Sequence, residues 1–101
     1  MFDLKGRVAV ISGASSGLGK QMCKAFAKQG ANLVILARRL ERLEELKAEL
    51  EQEGITVLPV KCDVTKTEEI DAAAQLAKNI FGKVDILVNC AGSSKDKRAL
   101  E

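Results

Sequence analysis

Four short stretches of this chain hold residues able to act on a ligand. The first, Gly13-Ala14-Ser15-Ser16-Gly17-Leu18-Gly19, spaces its glycines as Gly-x-x-x-Gly-x-Gly. Backbone N–H groups in such a run can point at a diphosphate, and the missing Cβ atoms let the chain come close to it. Ser15 and Ser16 add hydroxyl donors, and no Gly-Lys-Ser/Thr ending marks a triphosphate loop. The second stretch, Arg38-Arg39, offers two guanidinium forks that suit a phosphate ester. A carboxylate, which would accept hydrogen bonds from a free ribose 2′-OH, is missing beside it. Asp63-Val64 supplies a carboxylate next to an apolar side chain, and Asn89-Cys90-Ala91-Gly92 an amide beside small residues.

The chain of 101 residues contains no histidine and no tyrosine, so only carboxylates, lysines and thiols remain to carry protons. Cys23, Cys62 and Cys90 are odd in number and widely spaced, with no Cys-x-x-Cys pair. That pattern fits neither a disulfide framework nor a zinc site, and no metal is expected.

These stretches need elements to position them. Val8-Ala9-Val10-Ile11 is a short apolar run leading straight into the glycine turn, as a fully buried parallel strand does. After the turn, Leu18, Met22, Ala25, Phe26 and Gln29 recur at helical spacing and mark one mostly apolar face, which Gly30 ends. Leu33–Ala37 reads as a second buried strand. Leu40, Leu43, Leu46 or Lys47, and Leu50 mark a second helix closed by Gly54. Ile55–Val60 reads as a third strand, placed at an edge by Pro59. Thr67 is expected to cap a third helix whose buried stripe is Ile70, Ala73, Ala74, Ala77, Ile80 and Phe81, with Gly82 at its end. Val84–Asn89 is a fourth strand.

The order βαβαβαβ with right-handed crossovers predicts an α/β protein, a Rossmann-type doubly wound parallel sheet in the order 3-2-1-4. The fourth strand would then lie at an edge, although Ile86-Leu87-Val88 has the apolar character of a strand covered on both sides. The polar tail from Ser93 to Glu101 reads as cut. Residues 1–101 are therefore expected to form the first, dinucleotide-binding half of a larger single domain.

The glycine spacing, with Asp63-Val64 after the third strand and Asn89-Cys90-Ala91-Gly92 after the fourth, resembles the short-chain dehydrogenase/reductase family over essentially the whole chain. The resemblance implies an oxidoreductase that moves hydride between a nicotinamide and a carbonyl or alcohol carbon. Residue by residue, it assigns Gly13, Ser15, Ser16, Gly17, Leu18 and Gly19 to the phosphate turn, with Ser12 where Thr is usual. Asp63 would accept from the adenine amino group, with Val64 near the ring. Asn89, Ala91 and Gly92 match the family's Asn-Asn-Ala-Gly motif, in which Cys90 replaces the second Asn. The family's catalytic Ser and Tyr-x-x-x-Lys have no counterpart here, so no catalytic residue is assigned. Family members are commonly homo-oligomers, which is the expectation for the full-length parent.

Arg38 and Arg39 favour NADP(H) over NAD(H), because a guanidinium pair suits the 2′-phosphate. The same residues have plainer readings: the arginines as solvated residues opening a helix, Asp63 as a turn residue before Thr65, Asn89 satisfying backbone groups at a strand end. A non-catalytic NADP(H)-binding module and a Rossmann fragment that binds nothing tightly both remain open. A formal charge of +2, from 16 basic and 14 acidic residues mixed along the chain, gives no field for nucleic acid. There is neither a signal-peptide pattern nor an apolar run of membrane-spanning length, and a cytoplasmic location is expected.

Overall fold

The computed structural model describes residues 4–14 and 17–89. Its elements are β1 (Val8–Ser12), α1 (Gly17–Lys28), β2 (Asn32–Ala37), α2 (Leu40–Leu50), β3 (Val57–Lys61), α3 (Thr67–Phe81) and β4 (Ile86–Asn89), with a 3₁₀ turn at Glu51–Glu53 after α2. The four strands are all parallel and lie in the order β3-β2-β1-β4, as the βαβ succession requires. Ser12 pairs with Leu36 on one side and Asn89 on the other, and Leu36 pairs with Val60. One row across the sheet thus gathers the carboxyl ends of all four strands.

Every residue of β1 is buried, as are the five residues of β2 from Leu33 onward, so these central strands can carry unbroken apolar runs. Their side chains alternate between two cores. Ala9, Ile11, Leu33 and Ile35 meet Cys23 and Ala27 of α1 and Leu43, Leu46 and Leu50 of α2 on one face. Val8, Val10, Val34 and Leu36 meet Cys62 and Ala73 and Ala77 of α3 on the other. Cys23 and Cys62 are therefore buried thiols on opposite faces of the sheet, and no disulfide joins them. Pro59 sits in β3 at the sheet edge, where its missing N–H removes no rung from a second neighbour.

Four expectations are corrected. The buried face of α1 runs through Gly19, Cys23 and Ala27, with Met22 and Phe26 at its margin, while Leu18 is 62% exposed and Ala25 lies outside. Small residues can lie close on a sheet, and here they do so in place of the larger side chains that carry the periodic signal. Thr67 is the first helical residue of α3; the cap position belongs to Lys66, which makes no side-chain cap bond. Ile80 is 55% exposed, and with Leu76 and Leu87 it leaves apolar surface uncovered on the α3 face. The paired β4 begins at Ile86, because Asp85 turns its carboxylate back to bond the chain instead of continuing the strand.

Candidate functional site

The site is built on the loops that leave the carboxyl row of the sheet, the place where parallel α/β sheets take ligands. At the end of β1 the chain turns at Gly13, whose φ of +69° is unfavourable for any residue with a Cβ. Ala14 follows fully buried, its N–H donating to the Leu36 carbonyl at 3.1 Å, which ties the turn to β2. The chain then re-emerges as α1.

The two glycines of the first turn of α1 have opposite surroundings. A Cβ on Gly19 would overlap the Gly13 carbonyl oxygen and lie 2.8 Å from its carbon and 3.0 Å from Cα of Ala14. Gly19 therefore lets the helix press against the turn; it opens no space for a ligand, contrary to the expectation for all three glycines. A Cβ on Gly17 would meet nothing within 4 Å, and the neighbouring Leu18 also faces outward. The first N–H groups of a helix lack intrahelical partners and carry its positive dipole end, so the open side at Gly17 is suited to an anion.

Asn89 closes the row on the β4 side. The buried hydroxyl of Ser12 donates to Asn89 Oδ1 at 2.7 Å, with the Val88 carbonyl at 3.4 Å. With its oxygen held by Ser12, the carboxamide has its donors on the amide nitrogen. Ser12 was noted from the sequence only as a substitute for Thr; here it is the residue that orients Asn89.

On the other side, Cys62 follows directly on β3, and its N–H donates to the Ala37 carbonyl at 2.9 Å. Asp63 then heads a tight loop: its Oδ1 accepts from Thr65 Oγ1 at 2.6 Å and Thr65 N–H at 3.0 Å, and its carbonyl accepts from Lys66 N–H at 2.9 Å. The Thr65 hydroxyl and N–H, helped by Arg38 and Lys66, hold the Asp63 carboxyl below the usual carboxylate range, so it is ionised at neutral pH. The turn role foreseen for Asp63 is thus present. Val64 is half-buried against the core on the α3 side. Burial, followed by the Glu69 and Asp63 carboxylates, pushes the Cys62 thiol up and keeps it protonated.

Arg38 and Arg39 are both exposed, and they part company. Arg38 lies on the Asp63 side, close enough to act on that carboxylate. Arg39 opens α2 and lines a cleft of about 410 Å³ between α1 and α2 together with Lys20 and Arg42. Glu41, Glu45 and Glu49 share this cleft, and Glu49 is paired with Lys24 at 2.9 Å. Sequence reading missed Lys20 and Arg42; their spacing of three from Gly17 and from Arg39 was the available signal. Ser15, Ser16, Cys90, Ala91 and Gly92, singled out above, lie outside the described residues. Among the described residues no helix is long and apolar enough to cross a membrane.

A family model described as short chain dehydrogenase matches residues 7–101. An uncharacterized oxidoreductase of Staphylococcus haemolyticus is 41% identical over 98 residues, which are 97% of this chain and 42% of the relative. Among solved structures, the L-sorbose reductase of Gluconobacter frateurii, complexed with NADPH and L-sorbose, superposes with a TM-score of 0.84 at 43% identity, covering 91% of this chain and 35% of that one. A 3-ketoacyl-(acyl-carrier-protein) reductase of Brucella melitensis complexed with NADH gives 0.74 at 44% identity, covering 85% and 34%. The chain spans less than half the length of these relatives.

Proposed function

This chain belongs to the short-chain dehydrogenase family, and we propose that it is the cofactor-holding first half of an NADP(H)-dependent oxidoreductase acting on a small carbonyl or alcohol substrate. The observation that carries this reading is the asymmetry of the glycine turn: Gly19 is closed against Gly13, while the side at Gly17 is open at the start of a helix. A diphosphate fits that arrangement, since it needs unobstructed N–H groups at a positive helix end.

In this reading the turn from Gly13 to Gly19, with Ser15 and Ser16, holds the pyrophosphate, and Leu18 covers it. Asp63 accepts from the adenine amino group, Val64 packs near the ring, and Asn89, Ala91 and Gly92 line the adenosine side. Arg38 and Arg39 bind the 2′-phosphate from two directions, one beside Asp63 and one from the α1–α2 cleft. The lack of a carboxylate beside them supports NADP(H) over NAD(H). When bound, the nicotinamide supplies the hydride. The family's catalytic Ser and Tyr-x-x-x-Lys are assigned to the part of the domain beyond these residues, which contain no tyrosine. The parent is proposed to work in the cytoplasm as a homo-oligomer.

Fluorescence titration with NADPH and NADH tests the cofactor half of this proposal. The expected result is saturable binding with NADPH at least about tenfold tighter, a preference that Arg38→Asp abolishes through lost attraction to the 2′-phosphate. Equal affinities would remove the NADP(H) assignment. Carbonyl-dependent oxidation of NADPH by the full-length polypeptide tests the enzymatic half, and a polypeptide that binds NADPH without turnover would be a storage or sensing module.

A further inference from the structure

We propose that Glu69 is a positioning residue for Asp63, holding the loop between β3 and α3 so that the free edge of the Asp63 carboxylate faces the adenine end of the dinucleotide. The inference rests on the cofactor reading above and adds to it a residue that no part of the motif pattern includes.

Glu69 lies in the first turn of α3, six residues beyond Asp63, and its Oε1 accepts from the Asp63 backbone N–H at 2.8 Å. Cys62 N–H donates to Ala37 of β2, so the next N–H, that of Asp63, points away from β2 on the open edge of the sheet and needs an acceptor from outside the ladder. Together with the Lys66 N–H on the Asp63 carbonyl and the two Thr65 donors on Oδ1, the bond from Glu69 fixes Asp63 at three of its four polar atoms. Oδ2 accepts no hydrogen bond among the described residues. An ionised carboxylate with one oxygen locked and the other open presents a directed acceptor, which is what an exocyclic amine needs.

The bond also joins two carboxylates at one point of the chain, close enough that both raise the pKa of the Cys62 thiol beneath them. Their repulsion favours the arrangement in which Glu69 turns to the backbone and the Asp63 carboxylate turns away from it. Glu69 also sits where a helix tolerates negative charge best. Loss of its side chain would leave the Asp63 backbone N–H without its acceptor, and the hydrogen bonds left on Asp63 would come only from Thr65 and Lys66, both of which move with the loop.

The test uses 2′,5′-ADP, which carries the adenosine end alone, and inorganic pyrophosphate, which lacks it. Glu69→Ala is expected to weaken 2′,5′-ADP by about tenfold, the scale of one hydrogen bond to a charged group, with pyrophosphate affinity unchanged. Glu69→Gln, which keeps the acceptor, is expected to restore 2′,5′-ADP binding to within about twofold. In an Asp63→Ala background Glu69→Ala should add nothing, because its effect passes through that carboxylate. An undiminished tenfold loss in that background, or no rescue by Gln, would overturn the proposal. If Asp63→Ala alone leaves 2′,5′-ADP binding unchanged, the adenine role of Asp63 fails and takes the Glu69 role with it. If Asp63→Ala weakens binding and Glu69→Ala does not, the Glu69 role alone fails. Should Glu69→Ala not fold, Glu69→Asp shortens the reach with the charge kept. Faster exchange of the Asp63 amide proton should then accompany weaker 2′,5′-ADP binding, and faster exchange with unchanged binding would contradict the role.

Discussion

The two ends of the sheet are built from similar polar residues put to different use. At the amino end the groups satisfy one another. Val8 N–H donates to Asp85 Oδ2 at 2.9 Å, Asp85 N–H donates to the Val8 carbonyl at 2.8 Å, and Arg7 and Lys83 flank the same carboxylate. Nearby, Asn32 N–H donates to the Arg7 carbonyl, and Asn32 Oδ1 accepts from Thr56 N–H. At the carboxyl end Ser12 orients Asn89, Thr65 orients Asp63, and α1 starts at Gly17, where a Cβ would meet nothing within 4 Å. There the bonds that hold Asp63 through Oδ1 leave Oδ2 as a further acceptor. A sheet end closed on itself is scaffold, and one whose internal bonds aim other polar groups outward can recognise a ligand.

Substitutions that separate stability from affinity sharpen this contrast. The largest effect on folding is expected from Gly19→Ala, since the new methyl collides with backbone atoms that have no rotamer to yield. It should cost about 3 kcal/mol or more, lowering Tm by over about 12 °C in thermal unfolding followed by circular dichroism. An unchanged Tm would mean that the turn and helix are not in contact as described.

Next comes Ser12→Ala, which leaves the Asn89 oxygen without its buried donor. A loss of about 2 kcal/mol is expected, together with weaker NADPH binding, because Asn89 is no longer held. Asn32→Ala, at the other end, should cost about 1 kcal/mol and leave NADPH affinity untouched in the same titration. A shared loss of affinity from both substitutions would erase the distinction between the ends.

The smallest effect is expected from Asp85→Asn, and it should depend on pH. The Val8 N–H, with Lys83 and Arg7, holds the Asp85 carboxyl below its ordinary range. A carboxylate with a lowered folded pKa stabilises the protein fully above its unfolded value, near about 3.9, and loses that contribution as pH falls through the folded value. The Tm difference between the native chain and Asp85→Asn should therefore be greatest at neutral pH and fade in strong acid. A difference that grows on acidification would contradict the assignment.

Much of the scaffold was legible in the sequence because unbroken apolar runs and helical spacing report burial directly. Leu43, Leu46 and Leu50 and the order of strands follow from them. The face of α1 was misplaced because Gly19, Cys23 and Ala27 are too small to carry a periodic signal, whereas Leu18 carries one and stays outside. The carboxyl-end location of Gly13, Arg38, Asp63 and Asn89 was legible from their places after strands. The bonds that orient them were not. Ser12 meets Asn89 across 77 positions, and the Arg39 cleft is assembled from two helices. Neither spacing has a local signature.

The glycine turn as a pyrophosphate cradle is tested most directly by NADPH titration of Gly17→Leu. A Cβ at Gly17 meets nothing within 4 Å, so Tm should be retained or raised by the better helix former. Affinity should fall by about a hundredfold or more, the scale of a blocked contact to a charged group. A folded Gly17→Leu chain that binds NADPH as tightly as the native one would contradict the account.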